Sequence, residues 1–309
     1  MGRRILILGV FVADAAYRAA RQPHMGETLL GREFRLGPGG KGSNQAVAAA
    51  RAGGTVHLIT RIGRDPFGEM ALDTWRAAGV TPEIIRPEDS VTGAACIFIE
   101  DDTGDNAIVI CPGVGGDMGP ADIDRATALF DDAGVFMTQL EQPLAAAMHG
   151  LQTARARGVV TILNPAPAAD LPEGMLALCD YVTPNETEAE GLTGIAVTSL
   201  EDARHAAGAL LAQGAGAAII TLGENGALYH DGKTSKHVPA FDAGPVVETT
   251  GAGDAFNGAF AAALSEGIAP VDAVRFGCAA AGISVTRPGT APSMPERTEI
   301  QALLNSRPR

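Results

Sequence analysis

Residues 135–163 read VFMTQLEQPLAAAMHGLQTARARGVVTIL, an apolar run, an Ala-rich stretch and a second apolar run in succession. The runs 135–137 and 159–163 are short and apolar at consecutive positions, which is typical of strands buried on both faces. The intervening residues 144–157 have the length and composition of a helix. This order predicts two parallel strands joined by a crossover helix.

The same alternation continues on both sides of this segment. Further buried strands are predicted at residues 5–8, 56–60, 181–183 and 218–222. Further helices are predicted at residues 43–51, 66–78, 200–213, 252–266 and 271–285. Asp65, followed by a proline, and Ser199 are predicted N-caps. The chain is therefore predicted to form an α/β fold of three layers, with helices on both faces of a mainly parallel sheet.

Two segments break this alternation. Residues 11–38 show no clear helix, and residues 92–100 and 107–110 resemble a hairpin across the turn at 101–104. Both are predicted to form a small β lid beside the main sheet, where such an element usually covers a site. Because no repeat or linker interrupts the chain, residues 1–309 are predicted to be one domain, with a lid formed by about residues 11–38 and 92–111.

Composition excludes several classes of protein. The chain has 309 residues, of which 46% are hydrophobic and 19% charged, so it can build a large core and is not disordered as a whole. Its formal net charge of −13 argues against an extended nucleic-acid interface, which needs an excess of Lys and Arg. No apolar stretch approaches the ~20 residues of a membrane span or forms a signal peptide, so a soluble, cytoplasmic protein is predicted.

Cysteine, histidine and tryptophan carry little signal. The four cysteines lack a CxxC pair, so neither a zinc site nor a disulfide framework is predicted, and Cys111 and Cys278 are expected to be buried. The six histidines lack the spacing of a catalytic transition-metal site. The single tryptophan, Trp75, falls in a predicted helix remote from the motifs described next.

Residues 248–258, ETTGAGDAFNG, are the strongest local signal. Gly251 and Gly253 provide flexible backbone directly before a long apolar helix, so N–H groups and the positive end of the helix dipole can hold an anion. Asp254 lies at the start of that helix, where its carboxylate can accept a proton from a hydroxyl group. The alternative is a Gly-rich turn whose acidic residue is favoured by the helix dipole alone.

Residues 37–47, GPGGKGSNQAV, are a second glycine-rich segment before a helix. The segment lacks the spacing of a Walker A loop, and no Rossmann GxGxxG follows the strand at 5–8. Close approach of the backbone to a small polyhydroxylated ligand fits better, with Lys41 and Asn44 supplying hydrogen bonds. A tight loop with a C-capping glycine is the alternative.

Residues 183–190, TPNETEAE, stand where a predicted strand ends and a helix begins. Asn185 and Glu188 share a face if they lie on a first helical turn, and together they can position the water ligands of Mg²⁺. A solvated acidic helix start is the alternative. All three motifs are expected at the carboxyl ends of strands, where open α/β sheets bind their ligands.

Taken together, these motifs resemble those of the ribokinase/PfkB family of carbohydrate kinases. Residues 39–44, GGKGSN, resemble the family's sugar-binding segment, and residues 249–254, TTGAGD, resemble its catalytic segment. Residues 139–143, 164–167, 183–188, 221–223 and 285–289 agree as well and are closest to the ribokinase branch. The resemblance covers nearly the whole chain. It implies a ribokinase-like fold and ATP-dependent phosphorylation of a primary hydroxyl group, with the pentose ribose as the first candidate.

The resemblance also implies a role for each matching residue. Asp254 would be the general base, with Gly251, Ala252 and Gly253 stabilising the transferred phosphoryl group. The implied sugar-binding residues are Asp14, Gly40, Lys41, Asn44, Glu141 and Asp254. The implied ATP-binding residues are Asn185, Thr221, Gly223, Gly226, Ala252 and Gly253. Mg²⁺ would be held through water by Asn185 and Glu188. A monovalent cation, expected to be K⁺, would be bound by Glu248, Thr250, Ser284, Arg287, Gly289 and Ser293.

Two residues depart from the family pattern. Val12 stands where ribokinases have Asn, which removes a hydrogen bond to a sugar hydroxyl and favours deoxyribose, another sugar such as fructose, or a nucleoside. The alternative is that a neighbouring group or water replaces that contact. Phe11, Val12 and Phe98 would form either an apolar floor for a nucleoside base or the core of the lid. Glu248 replaces Asp at the implied cation site, which is expected to alter cation affinity.

The resemblance implies a homodimer as well, because edge strands of such a lid often pair with a second subunit. A non-catalytic sugar- or nucleotide-binding regulator on the same scaffold is the remaining alternative. It is disfavoured because Asp254, Gly251 and Gly253 are all intact.

Overall fold

Short aliphatic runs form the strands, as their composition predicts. The structure is a computed structural model that describes residues 2–306. Over these residues the strands are β1 (Arg4–Leu8), β2 (Val12–Ala19), β3 (Glu33–Gly39), β4 (Val56–Arg61), β5 (Thr81–Ile85), β6 (Gly93–Glu100), β7 (Asn106–Cys111), β8 (Ala133–Thr138), β9 (Val160–Leu163), β10 (Tyr181–Val182), β11 (Ala217–Thr221), β12 (Ala227–His230) and β13 (Ser235–Val238).

The Ala-rich stretches form helices, as their composition predicts. In the described part of the chain they are α1 (Lys41–Arg51), α2 (Pro66–Ala78), α3 (Pro120–Arg125), α4 (Leu144–Ala156), α5 (Glu186–Thr193), α6 (Leu200–Ala212), α7 (Ala252–Ser265), α8 (Pro270–Ser284) and α9 (Arg297–Ser306). Asp65 accepts a hydrogen bond from the N–H of Gly68 at 2.8 Å, and Ser199 accepts one from that of Asp202 at 3.2 Å. Both predicted N-caps are therefore confirmed.

The main sheet of residues 2–306 has nine strands in the order β13-β12-β11-β10-β9-β8-β1-β4-β5. The strands from β11 to β5 are parallel, and β12 and β13 are antiparallel additions at one edge. In β1, Ile5 and Ile7 pack into one core cluster, whereas Leu6 and Leu8 pack into another. One cluster includes residues of α1, α2, α7, α8 and α9, and the other residues of α3, α4, α5 and α6. The predicted three-layer arrangement is therefore confirmed.

A second sheet contains four strands in the order β3-β2-β6-β7 within the described residues. The predicted hairpin is the antiparallel pair β6 and β7, and β2 and β3 form another antiparallel pair. A parallel pairing of β2 with β6 joins the two pairs into one sheet. We call this sheet the lid. That pairing links residues far apart in sequence, and local patterns cannot reveal it.

Two features of the fold differ from or extend the predictions. The sequence analysis does not identify β5, β12, β13, α3 or α9, which are short or mixed in composition. Cys111 is exposed at the end of the lid's edge strand, so the expectation that it is buried is wrong, whereas Cys278 is buried as predicted. Among the helices of residues 2–306, none combines the length and hydropathy needed to span a bilayer.

Candidate active site

The amino end of α7 carries Asp254. Gly251 precedes the helix with a φ of 85°, a left-handed conformation that favours glycine, and Asp254 follows in the first turn. Oδ2 of Asp254 accepts a hydrogen bond from Nδ2 of Asn44, and Oδ1 accepts one from Nε2 of Gln45, both at 3.0 Å. Two amides from α1 therefore hold this buried carboxylate in one orientation.

Opposing effects act on the pKa of Asp254. Burial raises this pKa, whereas the charge of Lys41 and the hydrogen bonds from Gln45 and Asn44 lower it, and the net direction is upward. A carboxylate with a raised pKa accepts a proton more readily than an ordinary aspartate does. This is the property required of a general base.

Two further carboxyl groups, those of Asp14 and Glu141, lie close enough to Asp254 for its charge to act on them. The backbone N–H of Lys41 donates a hydrogen bond to Oε2 of Glu141 at 2.6 Å. Burial raises the pKa of Glu141 to about 7. Burial and the charge of Asp254 raise the pKa of Asp14 to about 6. Carboxyl groups that lie close together in this way are acceptors suited to the hydroxyl groups of a sugar.

The backbone before α1 lies against β2 at close range. A Cβ at Gly39 would lie 2.1 Å from Oδ2 of Asp14, and a Cβ at Gly40 would lie 2.5 Å from the carbonyl oxygen of Val10. Gly40 also has a φ of 86° and is the N-cap of α1, so it begins a helix and does not end one. These contacts favour close approach of the backbone over a C-capping loop.

Many of the predicted site residues face one cavity of about 170 Å³ at the carboxyl ends of the parallel strands. Its lining residues are Lys41, Asn164, Ala166, Thr183, Asn185, Glu188, Thr221, Gly251, Gly253, Asp254 and Asn257. Glu141 adjoins the cavity through its bond to Lys41. The loop before α7, the start of α1 and the start of α5 thus meet at the carboxyl ends of the parallel strands. The expectation that all three motifs follow strands of that kind is wrong, because only α5 directly follows one, whereas α1 follows β3 of the lid and α7 follows the loop after β13.

At the start of α5, Asn185 and Glu188 form a reciprocal capping box. Oδ1 of Asn185 accepts from the N–H of Glu188 at 2.8 Å, and Oε2 of Glu188 accepts from the N–H of Asn185 at 2.9 Å. Asn185 is thus the N-cap and does not lie on the first turn, and Glu188 is buried rather than solvated. Within residues 2–306 the side chain of Glu188 accepts this hydrogen bond through Oε2, and Glu188 lines the cavity, which is compatible with a hydrated Mg²⁺ there.

Thr221 ends β11 and forms an isolated parallel bridge to Asn185. The turn that follows contains Gly223 and Gly226, with φ values of 52° and 90°. A Cβ at Gly226 would lie 2.1 Å from the carbonyl oxygen of Val238. These glycines shape the turn between β11 and β12 beside the cavity. Their contact with a nucleotide stays a prediction.

The residues implied for a monovalent cation lie in two neighbouring segments, the loop before α7 and the stretch that runs from the last residue of α8 to the short 3-10 helix ending at Ser293. Oε2 of Glu248 accepts a hydrogen bond from the N–H of Gly289 at 2.8 Å. The carbonyl oxygen of Ser284 accepts from the N–H of Arg287 at 3.1 Å, and the hydroxyl of Ser293 donates to the carbonyl of Thr290 at 2.7 Å. The two segments are thus adjacent and carry one carboxylate, which fits a cation. Thr250 is exposed on the first segment.

A chain of buried hydrogen bonds beside Asp254 was not predicted from the sequence. Nε2 of Gln45 donates to Oδ1 of Asn164 at 3.0 Å, and Nδ2 of Asn164 donates to the carbonyl of Thr183 at 3.0 Å. The hydroxyl of Thr183 donates to Oδ1 of Asn257 at 2.6 Å, and Nδ2 of Asn257 donates to the carbonyl of Gly253 at 2.9 Å. Each of these residues lies within a motif quoted above. Their presence in these motifs was the signal in the sequence that could have identified them.

The expectation that Trp75 is remote from the motifs is wrong. Its Nε1 donates a hydrogen bond to Oγ of Ser43 at 2.9 Å, and its ring meets that of Phe11 edge-on, with 5.9 Å between centroids. Phe11 is buried in the core cluster that contains Trp75, and Val12 is buried as well, whereas Phe98 is half-buried. Phe11 therefore packs as core.

Fold and site together define a kinase of small hydroxylated molecules. A buried carboxylate that can take a proton stands beside a helix amino end that can hold a phosphate, and acidic side chains suited to hydroxyl groups lie next to both. The chain belongs to the pfkB family of carbohydrate kinases, whose pattern matches residues 3–297. It is an ATP-dependent sugar kinase.

Individual relatives agree with this family. A ribokinase of Haemophilus influenzae is 37% identical over 98% of this chain and 99% of its own length. A deoxyribokinase of Salmonella typhi is 35% identical over 97% of this chain and 98% of its own. The structure of Arabidopsis thaliana ribokinase complexed with ribose and ATP has a TM-score of 0.94 at 28% identity, covering 98% and 99% of the two chains. The expected ribokinase-like fold is confirmed.

Proposed function

We propose that this protein transfers the γ-phosphate of ATP to the primary hydroxyl group of D-ribose, giving ribose 5-phosphate and ADP. The observation that carries the proposal is the carboxylate of Asp254, fixed by two amides at the wall of a cavity that also contains Lys41. The similarity to proteins called ribokinases over nearly the full length supports ribose as the sugar.

The proposed reaction uses Asp254 as the base. Its carboxylate accepts the proton of the sugar hydroxyl, whose oxygen forms a bond to the γ-phosphorus. The bond between that phosphorus and the β–γ bridging oxygen breaks, and its electron pair leaves with ADP. The backbone at Gly251 and Gly253 and the positive end of α7 stabilise the transferred group. The N–H of Ala252 donates to the carbonyl of Thr249 at 3.2 Å, so its share in this role depends on loop rearrangement.

The sugar is placed by groups on both sides of the cavity. Asp14 on the lid and Glu141 beside Lys41 accept hydrogen bonds from its hydroxyl groups, and Gly40 and Asn44 contact it as well. Oδ1 of Asn44 is buried without a partner within the described residues, which supports a ligand contact there. Asn185, Thr221, Gly223 and Gly226 form the nucleotide side.

Two cations complete the proposal. Asn185 and Glu188 would hold Mg²⁺ through water, and the ion would supply positive charge to the phosphates of ATP. The residues proposed to bind K⁺ are Glu248, Thr250, Ser284, Arg287, Gly289 and Ser293. The chain's own residues hold the two segments together through the bond from Gly289 to Glu248. A cytoplasmic location, and the absence of nucleic-acid and membrane partners, stay predictions.

A second candidate substrate is 2-deoxyribose. Val12 and Asp14 are two residues apart on β2, so they face the same side of the lid, and the apolar side chain of Val12 cannot bond a hydroxyl group. The similarity to a deoxyribokinase supports this candidate to nearly the same degree as ribose.

The test is an assay of ADP release with MgATP and KCl on ribose, 2-deoxyribose, fructose, arabinose and adenosine. The highest kcat/KM on ribose supports the first proposal, and the highest value on deoxyribose supports the second. A protein that binds ATP but releases no ADP with any of the five overturns both.

Substitution of Val12 tests the origin of the preference. Val12→Asn is expected to raise the ratio of kcat/KM for ribose over deoxyribose by about tenfold, because an added amide can bond the 2-hydroxyl group. Val12→Ala, which removes bulk but adds no hydrogen-bonding group, is the control. An unchanged ratio in Val12→Asn would mean that position 12 does not contact that hydroxyl.

A further inference from the structure

Gln45 is fully buried and bonded to the proposed base, and the mechanism above places it in contact with neither the sugar nor the nucleotide. It lies on α1, directly after Asn44. Its Nε2 donates to Oδ1 of Asp254 and to Oδ1 of Asn164, each at 3.0 Å, and its Oε1 accepts from Nε2 of Gln139. Gln45 is absent from the lining of the substrate cavity, so it acts on the site through Asp254.

The hydrogen bonds around Gln45 permit one orientation of its amide. Two oxygen acceptors face its nitrogen, and the amide nitrogen of Gln139 faces its oxygen. A flipped amide would place two oxygens against its carbonyl and leave the donor of Gln139 unpaired in a buried space. Asn164 cannot turn to compensate, because its Nδ2 already donates to the carbonyl of Thr183. The hydrogen bonds of Gln45 with Gln139 and Asn164 therefore fix the N–H donor that faces Asp254.

We propose that Gln45 is a positioning residue for phosphoryl transfer, which holds the carboxylate of Asp254 in one plane and in its ionised form. The proposal rests on the function given above, in which Asp254 is the base. Asn44 binds the other oxygen of the carboxylate, so the two amides together leave little freedom to rotate it. A base that is held in line with the hydroxyl needs no reorganisation during the reaction.

Charged groups of both signs act on Asp254 in addition to the neutral donor of Gln45. Lys41 is the cation that acts on Asp254, whereas Asp14, Glu141 and Glu188 are acidic groups whose charges repel its carboxylate. These groups come from α1, β2, the turn after β8 and α5. A hydrogen bond to the carboxylate favours its charged form, and the loss of that bond favours the protonated form.

The test compares Gln45→Met, which keeps the length of the side chain without its polar atoms, with Gln139→Met, which leaves Gln45 in place but removes its orienting donor. Ser265→Ala is the matched control, because it removes a buried hydrogen bond to Ala262 at the far end of α7. The measurements are kcat, KM for ribose and ATP, and the pH profile of kcat, normalised to the active fraction. Asp254→Asn is assayed alongside them.

For Gln45→Met we expect kcat to fall on the order of tenfold to a hundredfold, part of the contribution of a positioned base. We expect KM to change less than about threefold, and the acidic limb of the pH profile to move to higher pH. Gln139→Met should change the same quantities in the same direction by less, and Ser265→Ala should change neither. If Gln45→Met fails to fold, the shift in Gln139→Met decides the question.

An unchanged kcat and pH profile in both glutamine variants, with Asp254→Asn inactive, overturns the role of Gln45 and leaves the proposed function standing. A fall in kcat without movement of the pH profile also overturns it, because a merely structural role would give that result. Normal turnover in Asp254→Asn instead overturns the proposed function.

Discussion

Asp254 receives hydrogen bonds from two neighbouring residues of α1, at positions 209 and 210 residues away in sequence. These bonds oppose the effect of burial on its pKa, but the net direction is upward, so the carboxylate has an increased affinity for a proton. A group in this state accepts a proton as the hydroxyl oxygen attacks and releases it afterwards.

Replacement of Asp254 tests this role. Asp254→Asn keeps the shape of the side chain but removes the proton acceptor, so kcat is expected to fall by about 10²–10⁴-fold. Ribose should still bind, as measured by calorimetry, because the other sugar contacts remain. Asp73→Asn, an exposed change on α2, is the control. Turnover above a tenth of the wild-type value would remove Asp254 from the role of base.

Glu141 provides a prediction about pH and stability. Its pKa rises from 4.5 to about 7 on folding because its carboxyl is buried, so the folded protein binds that proton more tightly than the unfolded chain. The free energy of unfolding contributed by this group is therefore lost as the pH rises from about 4.5 through about 7. Because the side chain of Glu141→Gln cannot ionise, the variant does not lose this contribution to the free energy of unfolding as the pH rises.

The measurement is Tm against pH for the ligand-free protein. As the pH rises from 5 to 8, the Tm of Glu141→Gln should increase relative to that of the wild type, by about 2–4 °C for each kcal/mol of free energy of unfolding that the wild type loses. Glu173→Gln, at an exposed position, should follow the wild type. Parallel curves for the wild type and Glu141→Gln would contradict the raised pKa of Glu141.

At the scale of the elements, the start of α7 depends on two glycines in different ways. Gly251 has a φ of 85°, and a Cβ there would lie 3.2 Å from Cα of Thr290. Gly253 has an ordinary helical position, and a Cβ there would meet no atom within 4 Å among the described residues. The first glycine is required by the backbone, and the second leaves space for a ligand.

These two positions separate stability from catalysis. Gly251→Ala is expected to lower the free energy of unfolding by about 1–2 kcal/mol, because alanine is strained in the left-handed region. Gly253→Ala should leave Tm unchanged and still lower kcat, because its methyl group faces the cavity where the phosphate is proposed to bind. Chemical denaturation and steady-state kinetics check both. A loss of Tm in Gly253→Ala would contradict the open space seen there.

The lid is joined to the rest of the site by one of its own strands. Oγ1 of Thr290 donates a hydrogen bond to the carbonyl of Pro38 at 2.7 Å, and a guanidinium nitrogen of Arg35 lies 3.6 Å from Oε2 of Glu248. Both contacts connect β3 to the segments proposed to bind a monovalent cation. The exposed ion pair contributes little free energy, so the buried hydroxyl of Thr290 carries most of this connection.

At the scale of the whole molecule, the lid has an open edge. The residues of β7 are all exposed, including Ile108, Val109 and Ile110 at 51%, 68% and 56%. An apolar edge strand of this kind exposes unpaired backbone groups and pairs readily with another strand. This supports the proposal that two chains associate through their lids.

Light scattering on a sizing column tests the association. The wild type is expected at twice the mass of one chain, and Val109→Lys is expected to shift it to one chain, because a buried unpaired charge is costly at an interface. Gln301→Lys, at an exposed position on α9, adds the same charge elsewhere as the control. A wild-type protein that elutes as a monomer at micromolar concentration would contradict the proposal.

Local patterns were sufficient for much of the fold. The strands 5–8 and 56–60 and the helix 66–78 were predicted within a residue or two of β1, β4 and α2. The two strands are short, mainly apolar runs, and the helix begins at a capping residue; both signals act within a few positions. The strands β12 and β13, which were not predicted, are short, and their strand conformation depends on neighbours in the sheet.

The motifs, through their resemblance to a known family, were also sufficient to name Asp254, Lys41 and Asn44 as members of one site. Their positions after strands were not, because α1 follows the lid strand β3 and α7 follows the loop after the antiparallel strand β13. The tertiary structure was needed for Gln45, whose role comes from hydrogen bonds to Gln139, Asn164 and Asp254. Spacing along the chain carries no information about such contacts, because they form only when distant segments pack together. The family and its chemistry were therefore readable from local sequence, whereas the support of the base depends on packing between α1 and α7.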